Sequence, residues 1–489
     1  MGDQPRSAAA AADGAALATF DATRLPARPG TAVEAALFWL YVAGLAWVPF
    51  WYGSNALLAW GINAIIFPAL VVAYEVSLLI AGRPHPVAVR QIGVPALFFL
   101  AVVAWIVVQS TTATPHAIHS PIWSLTADAL GAPVAGRISV DRDLTLQALV
   151  RLITSASVFW LALQFCRDAI MANRLIAGIA VICTAYVAYG LAIFATAPGN
   201  FLSLEPRRTA SFVSSTFYNR NNFATYAGLG AVVIAGLLSK YYRHAVAAAG
   251  PARLRIAAII ETTGKGGALF IGALFIVVAA LLLSGSRGGI ISASFGCFVL
   301  LALTAAHGRK SAHGRRDIVL FVSVVVLVIF IGFGDTFVGK ISQQGLGDDS
   351  RMAIYLLTLG SIFDAPLLGY GYGTFADVFP MFRDRSIDTS GVWLMAHNTY
   401  LEVFQGLGLV FGTLLIASVG LLALRCIVGA SRRRQNATIP YIAGSVAGLI
   451  AANALVDFSL QIQAVTLTFM AVLGAGTAQS VSSQIELHD

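Results

Sequence analysis

Three groups of residues in this sequence have the types and spacing to do chemistry. The first opens with His397, in "HNTYLEVFQGLG" (397–408). An imidazole at the mouth of a helix is a candidate proton acceptor; the plainer alternative is an interfacial anchor. Asn398, Glu402 and Gln405 follow at spacings of four and three, so one helix face carries all three. On a spanning helix such a polar stripe faces the protein interior or a wet cavity. Glu402 has two readings. Thr399 and Glu402 fit a capping box, or the carboxylate orients the histidine.

The second group centres on Arg287, in "LLLSGSRGGII" (281–291). A charge at the membrane edge is costly and points to function. The surrounding Ser and Gly residues allow a tight turn whose N–H groups could form an anion-binding nest. The alternative is an arginine anchoring the loop at lipid headgroups.

The third group is a set of arginines: Arg207, Arg208 and Arg220 in "APGNFLSLEPRRTASFVSSTFYNRN" (197–221), and Arg351 in "DDSRMAIYLLTLGSIF" (348–363). Outer loops normally avoid positive charge, so several arginines there call for an anionic partner. Guanidinium forks suit phosphate, often through bidentate bonds. Headgroups, or pairing with Glu205, Asp348 or Asp349, are the alternatives. The outer acidic clusters, Asp348–Asp349 and Asp384/Asp388, sit in turn-like sequence, and no metal is expected. Cys166, Cys183, Cys297 and Cys426 show no metal or redox spacing and read as buried structural thiols.

The elements that position these groups must be membrane helices. The 489-residue chain is 58% hydrophobic and 11% charged, whereas soluble domains are about a quarter charged. The hydropathy predicts an all-α polytopic membrane protein with about twelve spans: 35–52, 58–81, 93–109, 146–165, 174–196, 222–239, 267–284, 289–306, 318–334, 399–424, 441–457 and 461–479. The positive-inside rule puts both termini in the cytoplasm. Arg83, Arg90, Lys240, Arg243, Arg315 and Arg316 then belong to an inner basic belt, which accounts for the net charge of +8 without nucleic acid.

Residues 1–32 read as a disordered cytoplasmic tail, 33–480 as the membrane domain and 481–489 as a second cytoplasmic tail. Three outer segments, about 110–145, 197–221 and 336–396, gather polar residues. In the third, Asp349 or Ser350 caps a helix from about Arg351. At roughly thirteen residues, ~20 Å, it is too short to span and is expected to lie at the outer surface. Gly369, Gly371 and Gly373 in "APLLGYGYGTF" predict turns that bring backbone close to a neighbour.

The order "FYNRNNFATYAGLG", "SGSRGG", "SR…PLLGYGYGTF", "HNTYLEVFQGLG" resembles the O-antigen ligase/O-antigen polymerase superfamily over about residues 200–425. The resemblance implies a GT-C type glycosyltransferase whose large periplasmic loop, 336–398, contains short interfacial helices. Such enzymes take a glycan from undecaprenyl pyrophosphate at the periplasmic face of the inner membrane. A ligase passes it to lipid A–core; a polymerase extends an O-antigen or exopolysaccharide. The ligases are thought to invert configuration and to use no metal or other cofactor. Arg287, Arg351 and His397 match the catalytic motif positions. Arg220, or else Arg208, matches a basic residue ahead of the sixth span. Asn398 and Glu402 are carried over as substrate-binding candidates. The expected partners are the lipid-linked donor, the acceptor glycan and membrane lipids. An oligosaccharyltransferase to protein is a more distant alternative. A lipid-linked glycan flippase is a rival of another class, but only Glu75 and Arg151 approach the midplane depth that transporters use.

Overall fold

A computed structural model describes residues 32–196, 200–201, 205–206, 212–248, 252–306, 349–387, 392–432 and 437–481. The helices are α1 (Ala32–Trp47), α2 (Leu57–Ala81), α3 (Gly93–Ser110), α4 (Ile122–Leu130), α5 (Arg142–Phe165), α6 (Ala169–Thr196), α7 (Arg220–Ala248), α8 (Ala252–Thr262), α9 (Ala268–Leu283) and α10 (Arg287–Ala306). Then come α11 (Asp349–Asp364), α12 (Phe375–Phe382), α13 (Thr399–Arg432), α14 (Thr438–Ala454) and α15 (Gln463–Ser480). Among the described residues, eight helices are long and apolar enough to cross a membrane, and the protein is a polytopic membrane protein.

The expectation of about twelve spans divides as follows. Two expected spans are the shorter apolar helices Ala32–Trp47 and Thr438–Ala454. The first stops at a turn in which Tyr52, Gly53 and Ser54 all have positive φ, a conformation that ends a right-handed helix. A third, α15, is less apolar and almost wholly buried. It faces protein, so polar residues such as Gln479 find partners, here the carbonyl of Cys166 at 2.6 Å. The expected span 318–334 lies outside the described residues, as do the tails 1–31 and 482–489. The one departure from all-α structure among the described residues is a two-residue antiparallel pair, β1 (Asn200–Phe201) with β2 (Glu205–Pro206).

Helix α7 is the central post. Residues 222–239 are all buried, and small residues on this stretch let other helices close in. A Cβ at Gly228 would lie 2.8 Å from Ala293 Cβ, and one at Gly236 would lie 2.3 Å from an Ile442 side-chain carbon. The four cysteines are free, three of them buried.

Two features shape the end of the bundle that carries His397. Helix α13 is broken at Gly408 (φ 74°, ψ 171°), where a single span was expected. Backbone bonds lost at the break are replaced from the glycine run. Tyr370 N–H donates to Gln405 O (3.0 Å), Gly371 N–H to Gly406 O (3.1 Å), and Leu409 N–H to Pro366 O (2.7 Å). Gln109 Nε2 adds a bond to Gly406 O at 2.8 Å. Gly369 has φ +65°, and a Cβ there would meet Gly406 O at 2.4 Å, so the expected close approach occurs and the neighbour is α13.

Helix α11 packs one face against the protein and leaves the other exposed. It starts at Asp349, and Ile354, Thr358, Ser361 and Ile362 are buried. Gln405 Nε2 donates to Ser361 Oγ at 2.7 Å. Met352, Leu356 and Phe363 remain exposed. Ile354, Phe375, Phe379, Ile387 and Ala396 form a small core, which seats the chain immediately ahead of His397.

Candidate functional site

His397 sits in the left-handed region, φ +56°, a conformation costing a β-carbon-bearing residue about 1–2 kcal/mol. Such strain persists only where surrounding bonds enforce it, and it gathers at functional sites. Tyr355 Oη donates to His397 O at 2.9 Å. The imidazole packs edge-to-face on Phe458, centroids 4.9 Å apart, and lies 6.5 Å from Trp393. Its Nδ1 is 3.5 Å from Asp457 Oδ1. That is ion-pair range but long for a hydrogen bond, and Nδ1 makes none among the described residues. Catalytic hydrogen bonds are often long until substrate binds.

Asp457 was missed in the sequence. It is the only charge between Arg434 and Glu486, and that isolation was the available signal. It lies in the hinge between α14 and α15, where its Oδ1 accepts from Phe458 N–H (2.9 Å). Ser459 Oγ is 3.3 Å from Asp457 Oδ2, 3.1 Å from Asn222 Oδ1 and 3.0 Å from Thr225 Oγ1. The hinge is thereby tied to the first turns of α7.

The other residues of the polar stripe have structural partners. Asn398, not Thr399, is the N-cap: its Oδ1 accepts from Leu401 N–H at 3.2 Å, and its Nδ2 donates to Leu455 O at 2.9 Å. Thr399 Oγ1 donates to Asp457 O at 3.1 Å. Glu402 makes no bond to His397. Its Oε1 accepts from Ala396 N–H at 2.6 Å, and its Oε2 accepts from Gln461 Nε2. Asp457 therefore holds the place beside the imidazole that the sequence left open for Glu402. Gln405 is buried against α11 and not in a wet cavity.

The SGSRGG turn also differs from a nest. Ser286 N–H is bonded to Ser284 Oγ (3.2 Å), Gly289 N–H to Ser286 Oγ (3.2 Å) and Gly285 N–H to Leu282 O (3.1 Å). Ser286 caps α10, and three of the turn's N–H groups are satisfied within the protein.

The turn also admits a neighbour. Gly285 has φ +63°, and a Cβ there would strike the Phe212 ring at 2.5 Å and lie 3.4 Å from Arg220 Nη1. Arg220 lies over Phe212, 3.7 Å from the ring centroid, a cation–π contact. Its Nη1 is buried without a hydrogen-bond partner. Arg287 and Arg351 both act electrostatically on Arg220. Three guanidiniums from α7, α10 and α11 therefore converge. Arg207 and Arg208 lie outside the described residues.

The two halves of the site meet. Arg351 is one helical turn from Tyr355, which holds His397. Arg220 is two residues from Asn222, which is linked through Ser459 to Asp457. A Cβ on Gly288, beside Arg287, would sit 3.2 Å from the Val456 side chain. One end of the bundle thus presents an anion-attracting cluster next to a histidine–aspartate pair. With His397 Nδ1 turned to Asp457, Nε2 is the ring nitrogen left to meet a hydroxyl.

Among the described residues, no three His, Cys, Asp or Glu side chains gather as a metal-holding group. Asp384 Oδ1 instead accepts from Ser386 N–H at 2.8 Å, and Asp348 and Asp388 lie outside the described residues. Glu75, a rival midplane charge, is bonded to His85 (2.7 Å) and Trp160 (2.7 Å).

The chain matches no curated protein. Residues 272–417, which include Arg287, Arg351 and His397, match the family model described as O-Antigen ligase, and the chain carries the domain of that family.

Proposed function

We propose that this protein transfers a glycan from undecaprenyl pyrophosphate to lipid A–core at the periplasmic face of the bacterial inner membrane, as a GT-C type enzyme with both termini in the cytoplasm. The observation that carries this reading is the convergence of Arg220, Arg287 and Arg351 beside His397. Guanidiniums drawn together in this way suit an anion of high charge, which they bind through charge-assisted and often bidentate bonds. A pyrophosphate leaving group is such an anion, and its charge grows as the glycosidic bond breaks.

The steps balance as follows. The acceptor hydroxyl oxygen bonds to the anomeric carbon as the carbon–oxygen bond to the pyrophosphate breaks. The hydroxyl proton passes to His397 Nε2, and undecaprenyl pyrophosphate departs with the bonding pair. The arginines hold the pyrophosphate on one side of the sugar while His397 draws the acceptor from the other, which gives inversion. Asp457 steadies the imidazolium. Asn398 and Glu402, carried over as substrate contacts, act instead through the backbone that holds His397.

The test is reconstitution with the lipid-linked glycan and lipid A–core. Transfer to lipid A–core is expected, with His397→Ala and Arg287→Ala inactive at normal protein levels. A longer lipid-linked glycan as the sole product would replace the ligase reading with a repeat-unit polymerase. No transfer to any acceptor would bring forward a lipid-linked glycan transporter.

A further inference from the structure

We propose that Glu402 is the positioning residue of the His397–Asp457 pair, clamping the two backbone segments that carry it, with Arg151 as its counter-charge. This inference rests on the transfer chemistry above and assigns to that site two residues that do not touch substrate.

The two members of the pair come from distant parts of the chain. His397 stands on the approach to α13, and Asp457 on the hinge between α14 and α15. Their spacing depends on how those segments are held together, and one carboxylate grips both. Glu402 Oε1 holds the N–H of Ala396, the residue before His397, at 2.6 Å. Glu402 Oε2 holds the side chain of Gln461, four residues beyond Asp457. Gln461 N–H in turn bonds Phe458 O at 2.8 Å, which closes the hinge on itself.

The clamp has a fixed base. Arg151 projects from α5 and donates through Nη2 to the carbonyl of the same Gln461. Its guanidinium lies 4.2 Å from the centre of the Trp60 ring, and Trp60 Nε1 is bonded to Ser54 O at 2.8 Å. Arg151 Nε is buried without a hydrogen bond. A buried cation of this kind needs an anion nearby. Glu402 is within its electrostatic reach, as is the Tyr372 phenol on the glycine run. A simple helix cap would require none of this, since Asn398 already caps α13.

Full-length protein in nanodiscs tests the proposal through Glu402→Ala, Gln461→Ala and Asp457→Asn. A misplacement of about 1 Å can cost roughly 10²-fold. Glu402→Ala is therefore expected to lower kcat by about that factor while KM for the lipid-linked donor stays within about threefold. Gln461→Ala, which keeps the buried carboxylate, should move kcat in the same direction. The double variant Glu402→Ala/Asp457→Asn should be no slower than the slower single variant, because both act through one contact.

A second readout needs no transfer activity. Modification of His397 by diethyl pyrocarbonate, followed by mass spectrometry, should be faster in Glu402→Ala and Gln461→Ala than in the wild type. Wild-type kcat in Glu402→Ala, fully multiplicative losses in the double variant, or unchanged modification rates in folded protein would each overturn the clamp. If the wild type itself transfers nothing, the proposed function fails, and the modification rates still decide whether Glu402 holds His397.

Discussion

Asp457→Asn isolates the electrostatic part of the proposed mechanism. Asparagine keeps the shape of the side chain and the oxygen that accepts from Phe458 N–H. It removes the charge facing His397 and exchanges an acceptor for a donor only at the long 3.3 Å contact with Ser459 Oγ. Once His397 has taken the acceptor proton, the imidazolium lies 3.5 Å from the Asp457 carboxylate. With an effective dielectric of about 20, that pair attracts by about 4–5 kcal/mol. Both side chains are largely shielded from solvent, at 20% and 4% exposure, so screening removes only part of this. Rearranged dipoles in the variant recover a further share. A loss of about 3–4 kcal/mol in transition-state stabilisation corresponds to roughly 10²–10³-fold in kcat. KM for the donor should hardly change, because Asp457 is buried behind the imidazole. Initial rates of glycan transfer in proteoliposomes, across donor concentrations, give both constants, and size-exclusion profiles confirm the fold. A kcat within threefold of wild type in folded Asp457→Asn would refute the histidine–aspartate base.

Three further outcomes are expected. Arg220→Gln should raise donor KM by about tenfold or more, and Arg220→Lys should rescue it poorly, since a point charge cannot reproduce the fork of donors or the stacking on Phe212; donor-concentration series read this. Gly369→Ala must place a Cβ 2.4 Å from Gly406 O at φ +65°, so backbone strain and overpacking together should destabilise the protein by about 2–5 kcal/mol, seen as a lower unfolding temperature in detergent. Asp377 has its carboxyl raised above the ordinary aspartate range by desolvation and then by the neighbouring Asp141. The folded state therefore holds that proton more tightly, and its stabilising effect is present at low pH and lost as pH rises through the raised value. Asp377 is exposed, so the slope in a pH series of unfolding temperatures should be small, and Asp377→Asn should flatten it.

The arginines and His397 stood out in the sequence because charge is conspicuous in an apolar chain and carries its own physical cost there. Asp457 was equally isolated, yet read as the tail of a span, because nothing local distinguishes a carboxylate that ends a helix from one that faces an imidazole across the bundle. The ambiguity of Glu402 had the same origin. Both of its partners, Ala396 and Gln461, accept a structural and a positioning explanation alike until the hinge is seen beside them. Gly408 gave no sign of breaking α13, since glycine inside an apolar run is ordinary in membrane helices. Its break depends on N–H donors from Tyr370, Gly371 and Gln109 and on the carbonyl of Pro366, which the local sequence does not reveal. The shortness of α1 was hidden by "WVPFWYG", whose apolar side chains continue the hydropathy after the helix has ended.

The break in α13 bears on how this protein can vary by descent. Gly408 alone would leave carbonyls unsatisfied in a medium that offers no water, and the glycine run alone would have nothing to bind. Each is harmful without the other, so neither can be gained or lost singly. Lineages that straighten α13 are expected to lose the close-packed glycines at 369 and 371 as well. Chimeras that exchange residues 365–375 between distant relatives should fold only when residues 405–409 travel with them. The two segments form one heritable unit, although 29 or more residues of chain separate them.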